Sequence, residues 1–139
     1  MTGLPQTRSV VLGLIAGLGT LAGVAAAQPV NDNFANATVL TGTFGTVTED
    51  NSTATTEPGE PKHAGVLKNA SIWFQWKAPA NGEVTMDTLG SAVSTTFFGQ
   101  TTTTYLDTVL AVYTGTALTN LSVVAANDDT GSSSNSLVI

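Results

Sequence analysis

The sequence predicts an all-β protein, folded as a jelly-roll-like antiparallel β-sandwich. Threonine, which favours strands, supplies 21 of the 112 residues after position 27. Apolar residues in this region show no sustained helical period, and short alternating segments recur between Gly, Pro, Asn and Asp. The predicted strands are residues 44–49, 70–77, 83–89, 108–114, 121–126 and 136–139. Short strands at such spacing are typical of sandwiches and jelly rolls.

Residues 1–27 have the organisation of a cleavable signal peptide. Arg8 is their only charged side chain, an apolar run spans about residues 10–24, and Ala25, Ala26 and Ala27 satisfy the small-residue rule for cleavage before Gln28. An uncleaved membrane anchor is the alternative, since residues 10–27 just reach spanning length. We therefore expect export, a secreted or cell-surface location, membrane contact only through the leader, and one domain at residues 28–139.

The charge of the chain limits its classes of partner, and its cysteine content limits the ways in which the domain can be stabilised. Loss of Arg8 with the leader leaves three lysines against ten acidic residues, so the formal net charge moves from −6 to −7. That sign disfavours nucleic acids and anionic membranes as partners. The chain has no cysteine, so an exported domain must be held together by its core, by hydrogen bonds or by a bound metal such as calcium.

Strand 70–77 is the most informative single element. Its alternation groups Ile72, Phe74 and Trp76 on a predicted core face and sets Trp73 on the other, so one tryptophan is expected to be buried and one to lie nearer the surface. Residues 78–82 contain Pro79 and an Asn-Gly pair and predict a hairpin to the next strand. The polar residues 91–106 predict a long loop or an extra hairpin.

Four ordered motifs carry a family resemblance. They are Asn31-Asp32-Asn33-Phe34-Ala35-Asn36-Ala37, the Pro/Gly loop 57–65, the run Ser71-Ile72-Trp73-Phe74-Gln75-Trp76, and Asp107-Thr108-Val109-Leu110-Ala111-Val112-Tyr113. Together they resemble the bacterial pre-peptidase C-terminal domain, a secreted β-sandwich. The resemblance implies a non-catalytic appendage of exported proteins, related to calcium-binding collagen- or carbohydrate-binding domains.

The chain departs from this family at two places. Residues 92–106 form an insertion whose role the resemblance does not supply. Family members also continue beyond the position of Ile139 with further strands, so the resemblance implies a domain that lacks its last strands.

Two groups of acidic residues are candidate sites. Asp128 and Asp129 lie in a turn and offer hard oxygen ligands to calcium, with Asp107 and Asp32 as further ligands from neighbouring motifs. The alternative is an Asx-turn in which Asp128 caps backbone N–H groups. Glu57, Glu60 and His63, spaced three apart, are interpreted as an ordered structural loop in preference to metal ligands or an acid–base pair.

Exposed aromatic residues are the candidate ligand-binding groups. Trp73 and Tyr105 are predicted to be available for stacking on a sugar or peptide. The function predicted is a non-enzymatic, secreted accessory or adhesion-type module, stabilised by calcium. The alternative is a module that binds extracellular polysaccharide or protein, or other domains of a longer chain; a small hydrolase that uses His63 as base is the weakest hypothesis.

Overall fold

The computed structural model describes residues 7–14, 27–66 and 70–139, with residues 7–14 described by their backbone alone. The strands are β1 (Thr7–Leu14), β2 (Thr38–Leu40), β3 (Ser71–Lys77), β4 (Met86–Asp87), β5 (Ala92–Phe97), β6 (Gln100–Tyr105), β7 (Thr108–Thr114), β8 (Ser122–Asn127) and β9 (Leu137–Val138). Two single-turn 3-10 helices, Phe34–Asn36 and Leu118–Asn120, lie in the loops.

The main sheet has the strand order β2-β3-β1-β7-β8. Its pairs are antiparallel except β2 with β3, which are parallel. Two smaller antiparallel sheets accompany it, one made of β4 and β9 and the other of β5 and β6. The prediction of an all-β, sandwich-like fold is confirmed.

The core lies on both faces of the main sheet. On one face Ile72 and Phe74 of β3 pack with Leu110 and Val112 of β7, and Val138 of β9 covers them. Trp73 packs with Ala111 and Tyr113 on the opposite face, under the loop residues Phe34, Ala37, Leu118 and Leu121. Apolar burial on both faces explains why β7 is a continuous apolar run instead of an alternating one.

Agreement with the predicted elements is close for the buried strands. β7 has the predicted bounds, β3 begins one residue later than predicted, and β8 lies one residue further along the chain. Only Met86–Asp87 of the predicted strand 83–89 is a strand. Residues 44–49 form no strand and are exposed, so that prediction is wrong. Phe44 and Val47 have no partner strand within the part of the chain that the structure describes.

The hairpin predicted at residues 78–82 is also wrong. β4 pairs with β9, whereas β3 pairs with β1 and β2, so the turn connects strands of different sheets. The assignment of tryptophans needs the same kind of correction. Trp73 is the fully buried one, and Trp76 is half-buried with its indole N–H donated to the Gly42 carbonyl at 2.9 Å. Loops cover the second face of the sheet and bury Trp73. The alternation of residues within one strand does not show such a cover.

The C-terminal segment is attached through buried hydroxyl groups. The Ser136 hydroxyl lies within hydrogen-bond distance of the carbonyls of Thr108 and Asp128 and shares its one proton between them. The Ser136 amide donates to the Thr88 hydroxyl at 2.8 Å. The side-chain amide of Asn135 donates to the Leu106 carbonyl at 3.0 Å. These hydrogen bonds join the segment that leads into β9 to the beginning of β7. They also satisfy the polar groups that are buried at this junction.

Residues Thr7–Leu14, which fall within the predicted signal peptide, form the central strand of the main sheet. The rest of the leader up to Ala26 lies outside the described residues, and cleavage before Gln28 stays a prediction. Within the part of the chain that the structure describes, no helix has the length and apolar character to cross a membrane.

Candidate functional site

The loop 57–63 covers the Trp73 face of the main sheet. Its turn is closed by the Glu60 amide, which donates to the Glu57 carbonyl at 3.1 Å, while the Glu57 amide donates to the Glu60 carboxylate at 2.9 Å. Gly59 in this turn has a φ of +92°, a conformation that favours glycine. The Glu57 carboxylate accepts the Phe34 amide and so ties the loop to the first 3-10 helix.

The central feature of this site is a hydrogen-bonded chain from Glu60 through His63 to Tyr113. His63 Nε2 lies 2.7 Å from Glu60 Oε1, and His63 Nδ1 lies 2.8 Å from the Tyr113 hydroxyl. All donors and acceptors match when Nε2 carries the imidazole proton and donates to Glu60, while the Tyr113 hydroxyl donates to Nδ1. We call these three residues the Glu60–His63–Tyr113 chain.

Burial and charge keep the Tyr113 phenol protonated. Burial, together with the neighbouring Glu60 carboxylate, raises the pKa of Tyr113 to about 12. A protonated phenol is the donor that the Glu60–His63–Tyr113 chain requires at neutral pH. The electrostatics and the hydrogen-bond pattern therefore agree.

Trp73 is packed among the members of this chain. Its ring centroid lies 5.0 Å from Phe34, 5.7 Å from His63 and 6.3 Å from Tyr113. Its side chain is fully buried, so the prediction that Trp73 is an exposed stacking platform is wrong. The indole N–H has no hydrogen-bond partner among the described residues, a cost that the burial of this large ring offsets.

A carboxylate, an imidazole and a hydroxyl in series are the elements of nucleophilic catalysis, but here they face inward. The side chain of Glu60 is 1% exposed and that of His63 is 5% exposed, and Tyr113 is fully buried. A substrate must reach the hydroxyl for such a chain to act on it. What the geometry can do is hold the loop 57–63 against β3 and β7, which agrees with the interpretation of Glu57, Glu60 and His63 as a structural loop.

Sequence reasoning missed Tyr113 as the partner of His63, from which it is separated by 50 positions. One signal was available. A tyrosine within a fully buried strand needs a hydrogen-bond partner for its hydroxyl, and His63 was a candidate because it is the only histidine of the chain.

The four aspartates predicted to bind calcium differ in burial. The buried Asp32 carboxylate accepts both the amide and the hydroxyl of Thr55. Asp128 is half-buried and its Oδ1 lacks a partner, whereas Asp107 and Asp129 are exposed. Among the described residues, no group of three or more His, Cys, Asp or Glu side chains could hold a metal ion. Calcium binding stays a prediction.

The turn after β8 is organised by Asn127, not by Asp128 as the Asx-turn alternative supposed. Asn127 Oδ1 accepts the Leu137 amide and the Thr130 hydroxyl, both at 3.2 Å. The Asp128 contribution to the network is its backbone carbonyl, which accepts the Ser136 hydroxyl at 2.7 Å.

The second candidate site is the exposed hairpin of β5 and β6, which is the insertion of residues 92–106. Every residue of both strands is exposed. Phe98 and Gly99 in its turn have φ values of +47° and +77°, the signs that a type I′ turn requires at both central positions. The predicted extra hairpin is thus confirmed in preference to a long loop.

Both faces of this hairpin carry hydroxyl groups and one aromatic side chain. The register places Tyr105 on the same face as Ser94, Thr96, Thr101 and Thr103, and the hydroxyl pairs Ser94–Thr103 and Thr96–Thr101 are each 2.9 Å apart. The residues of the opposite face are Val93, Thr95, Phe97, Gln100, Thr102 and Thr104. Tyr105 is 71% exposed, so the prediction that it is available for stacking agrees with its position.

A cleft of about 430 Å³ lies beside the first core. The exposed loop 41–47 and residues 84–89 form its walls, and Phe74, Trp76 and Leu110 lie at its base. No sequence pattern indicated this cleft, because residues 44–49, which lie along it, have the composition of a strand.

Comparisons with known proteins add no relative: no family model, no curated protein and no solved structure matches this chain. The likeness to pre-peptidase C-terminal domains therefore stays a prediction.

We expect His63→Ala to reduce the free energy of unfolding by about 3 kcal/mol or more, because it removes both hydrogen bonds and leaves Glu60 and Tyr113 buried without this partner. Lys62→Ala, a change at the exposed neighbouring residue, should shift it by less than about 0.5 kcal/mol. Urea denaturation of the two variants measures the difference. Equal midpoints would contradict a structural role for the chain.

The raised pKa of Tyr113 should make the free energy of unfolding depend on pH in alkaline solution. The pKa in the folded protein is raised from 10.0 to about 12, so the folded state holds this proton more tightly than the unfolded state. The resulting stabilisation is complete below pH 10 and is lost as the pH rises towards 12, on the order of 2–3 kcal/mol in all.

The phenolate ultraviolet absorbance of a Tyr105→Phe variant reports this ionisation, because Tyr113 is then the only tyrosine. We expect the absorbance to rise near pH 12 or together with unfolding. A rise centred near pH 10 in a protein that remains folded would contradict the assignment.

Proposed function

We propose that this protein is a non-catalytic, secreted β-sandwich module of the accessory or adhesion type, similar to pre-peptidase C-terminal domains. The observation that carries the proposal is the inward orientation of the Glu60–His63–Tyr113 chain. It contains the only histidine of the sequence, and its functional atoms are already engaged with one another.

The surface chemistry supports the same proposal. The formal net charge of −7 expected after export favours neutral or cationic extracellular partners over nucleic acids. The largest exposed apolar side chains include Phe97, Phe98 and Tyr105, all of which belong to the β5–β6 hairpin. Exposed aromatic groups on a rigid sheet are suited to contact and are not by themselves suited to bond cleavage.

Export is tested by expressing the full chain in a bacterial host and sequencing the N-terminus of the protein recovered outside the cytoplasm. We expect the secreted product to begin at Gln28, because Ala25 to Ala27 satisfy the cleavage rule. A full-length chain with an intact N-terminus, retained in the cytoplasm, would overturn the secreted assignment. A variant with Ala25 and Ala27 replaced by arginine, in which cleavage should fail, is the matched control.

A second candidate function, binding of extracellular polysaccharide or protein, is favoured by the Tyr105 face of the β5–β6 hairpin. Tyr105 offers an aromatic plane, and four neighbouring Ser and Thr hydroxyls offer hydrogen bonds on the same face. Carbohydrate recognition commonly combines an aromatic plane with such polar groups, which makes polysaccharide the first ligand to test.

Retention of the protein on immobilised polysaccharides measures this binding. We expect Tyr105→Ala to weaken it about tenfold and Val93→Ala, on the opposite face of the same hairpin, to leave it unchanged. Both side chains are exposed, so neither change should affect folding. Equal retention of the two variants would exclude the Tyr105 face as the binding surface.

A further inference from the structure

The two longest buried strands of the main sheet do not pair with each other. β3 and β7 are separated by one strand position, which we call the β3–β7 slot, and Thr7–Leu14 occupies it. Seven residue pairs join this occupant to β3 and seven join it to β7, all antiparallel. The slot is therefore a complete strand site in the middle of a sheet, with backbone hydrogen-bonding groups on both walls.

The walls of the slot specify what can fill it. On one face the register sets Val10 between Phe74 and Val112, and Leu12 between Ile72 and Leu110. These four wall residues belong to the first core and are buried. On the other face Val11 lies between Trp73 and Ala111. The site thus suits an extended segment with aliphatic residues at successive positions, because a polar one would be buried without partners.

The present occupant is the segment that export would remove. If the protein is exported as proposed above, cleavage before Gln28 separates Thr7–Leu14 from the domain, and the facing edges of β3 and β7 then have no partner strand among the described residues. Open edges of buried, apolar strands are templates for another strand. Resting on the proposed export, we propose that the β3–β7 slot is the docking site of an extended aliphatic strand from a partner polypeptide.

The slot walls are held in place by contacts that do not involve the central strand. The Trp73 amide donates to the Asn31 carbonyl at 2.9 Å, the Asn31 side chain donates to the Trp73 carbonyl at 3.1 Å, and β2 pairs with β3. On the opposite wall the Thr108 amide donates to the Ser134 carbonyl at 2.8 Å, and β8 pairs with β7. The Glu60–His63–Tyr113 chain links the loop 57–63 to the β7 wall.

A different polypeptide is a better source of the strand than a second mature copy. A mature copy no longer carries Thr7–Leu14. Its other long apolar strands, β3 and β7, form the slot walls and are paired on their outer edges with β2 and β8. Strand addition of this kind gains affinity from main-chain hydrogen bonds and specificity from alternate side chains.

The test uses the full chain with a site-specific protease sequence introduced between residues 14 and 27, so that the protein folds first and is cut afterwards. The probe is a fluorescent synthetic peptide with the sequence of Thr7–Leu14, and its anisotropy reports exchange into the slot. Two control peptides carry Val11→Pro, which removes a ladder hydrogen bond, or Val10→Asp, which places an acidic residue at the register position that pairs with Phe74 and Val112.

We expect the cut protein to bind the probe with one-to-one stoichiometry, the uncut protein to bind it poorly, and both control peptides to bind at least about 100-fold more weakly. Equal binding of the proline peptide, equal binding to the uncut protein, or self-association of the cut protein in place of probe binding would overturn the proposal. N-terminal sequencing of the secreted product reports separately on export, so failure of the slot and failure of the proposed function are distinguishable.

Discussion

The structure depends on the burial of both faces of β3. Ile72 and Phe74 point into one core and Trp73 into the other, so this strand separates two apolar clusters that share no side chain. A strand with one solvent-exposed face would need packing partners on its other face only. Here the small β4–β9 sheet covers the first cluster and loops cover the second, and this requirement explains why a short domain uses so much of its chain in ordered loops.

Loops make a stable cover only if their polar groups are satisfied, and this chain satisfies them with side chains. Asn51 donates to the Ala70 carbonyl at 2.8 Å, and Asn135 donates to the Leu106 carbonyl at 3.0 Å. The Glu60–His63–Tyr113 chain does the same across the second core. In a chain without cysteine, these buried hydrogen bonds provide links between distant segments that disulfides supply in cysteine-containing domains.

The sequence correctly predicted the strands whose residue pattern follows from burial. The predictions were wrong where contacts between distant segments determine whether a strand or a hairpin forms. β7 was found with its bounds, because seven apolar or threonine residues between Asp107 and Gly115 leave few alternatives. Residues 44–49 have strand composition but no partner strand, and propensity alone does not create one. Trp73 was assigned to the wrong environment because a strand pattern does not show that the preceding loop 57–63 folds over it. The His63–Tyr113 contact joins residues 50 positions apart, beyond any local signal.

The two candidate interaction surfaces differ in their dependence on the rest of the domain. The β5–β6 hairpin is exposed throughout and is anchored at its base, where the Leu106 amide donates to the Ser91 carbonyl at 3.0 Å. Substitutions along the hairpin should leave the two cores intact, so its sequence can change to suit a ligand without loss of stability. The β3–β7 slot is the opposite case, because its walls are the core strands themselves. A change there alters stability and binding together, since the strand that fills the slot completes the same sheet that holds Trp73 and Phe74 in place.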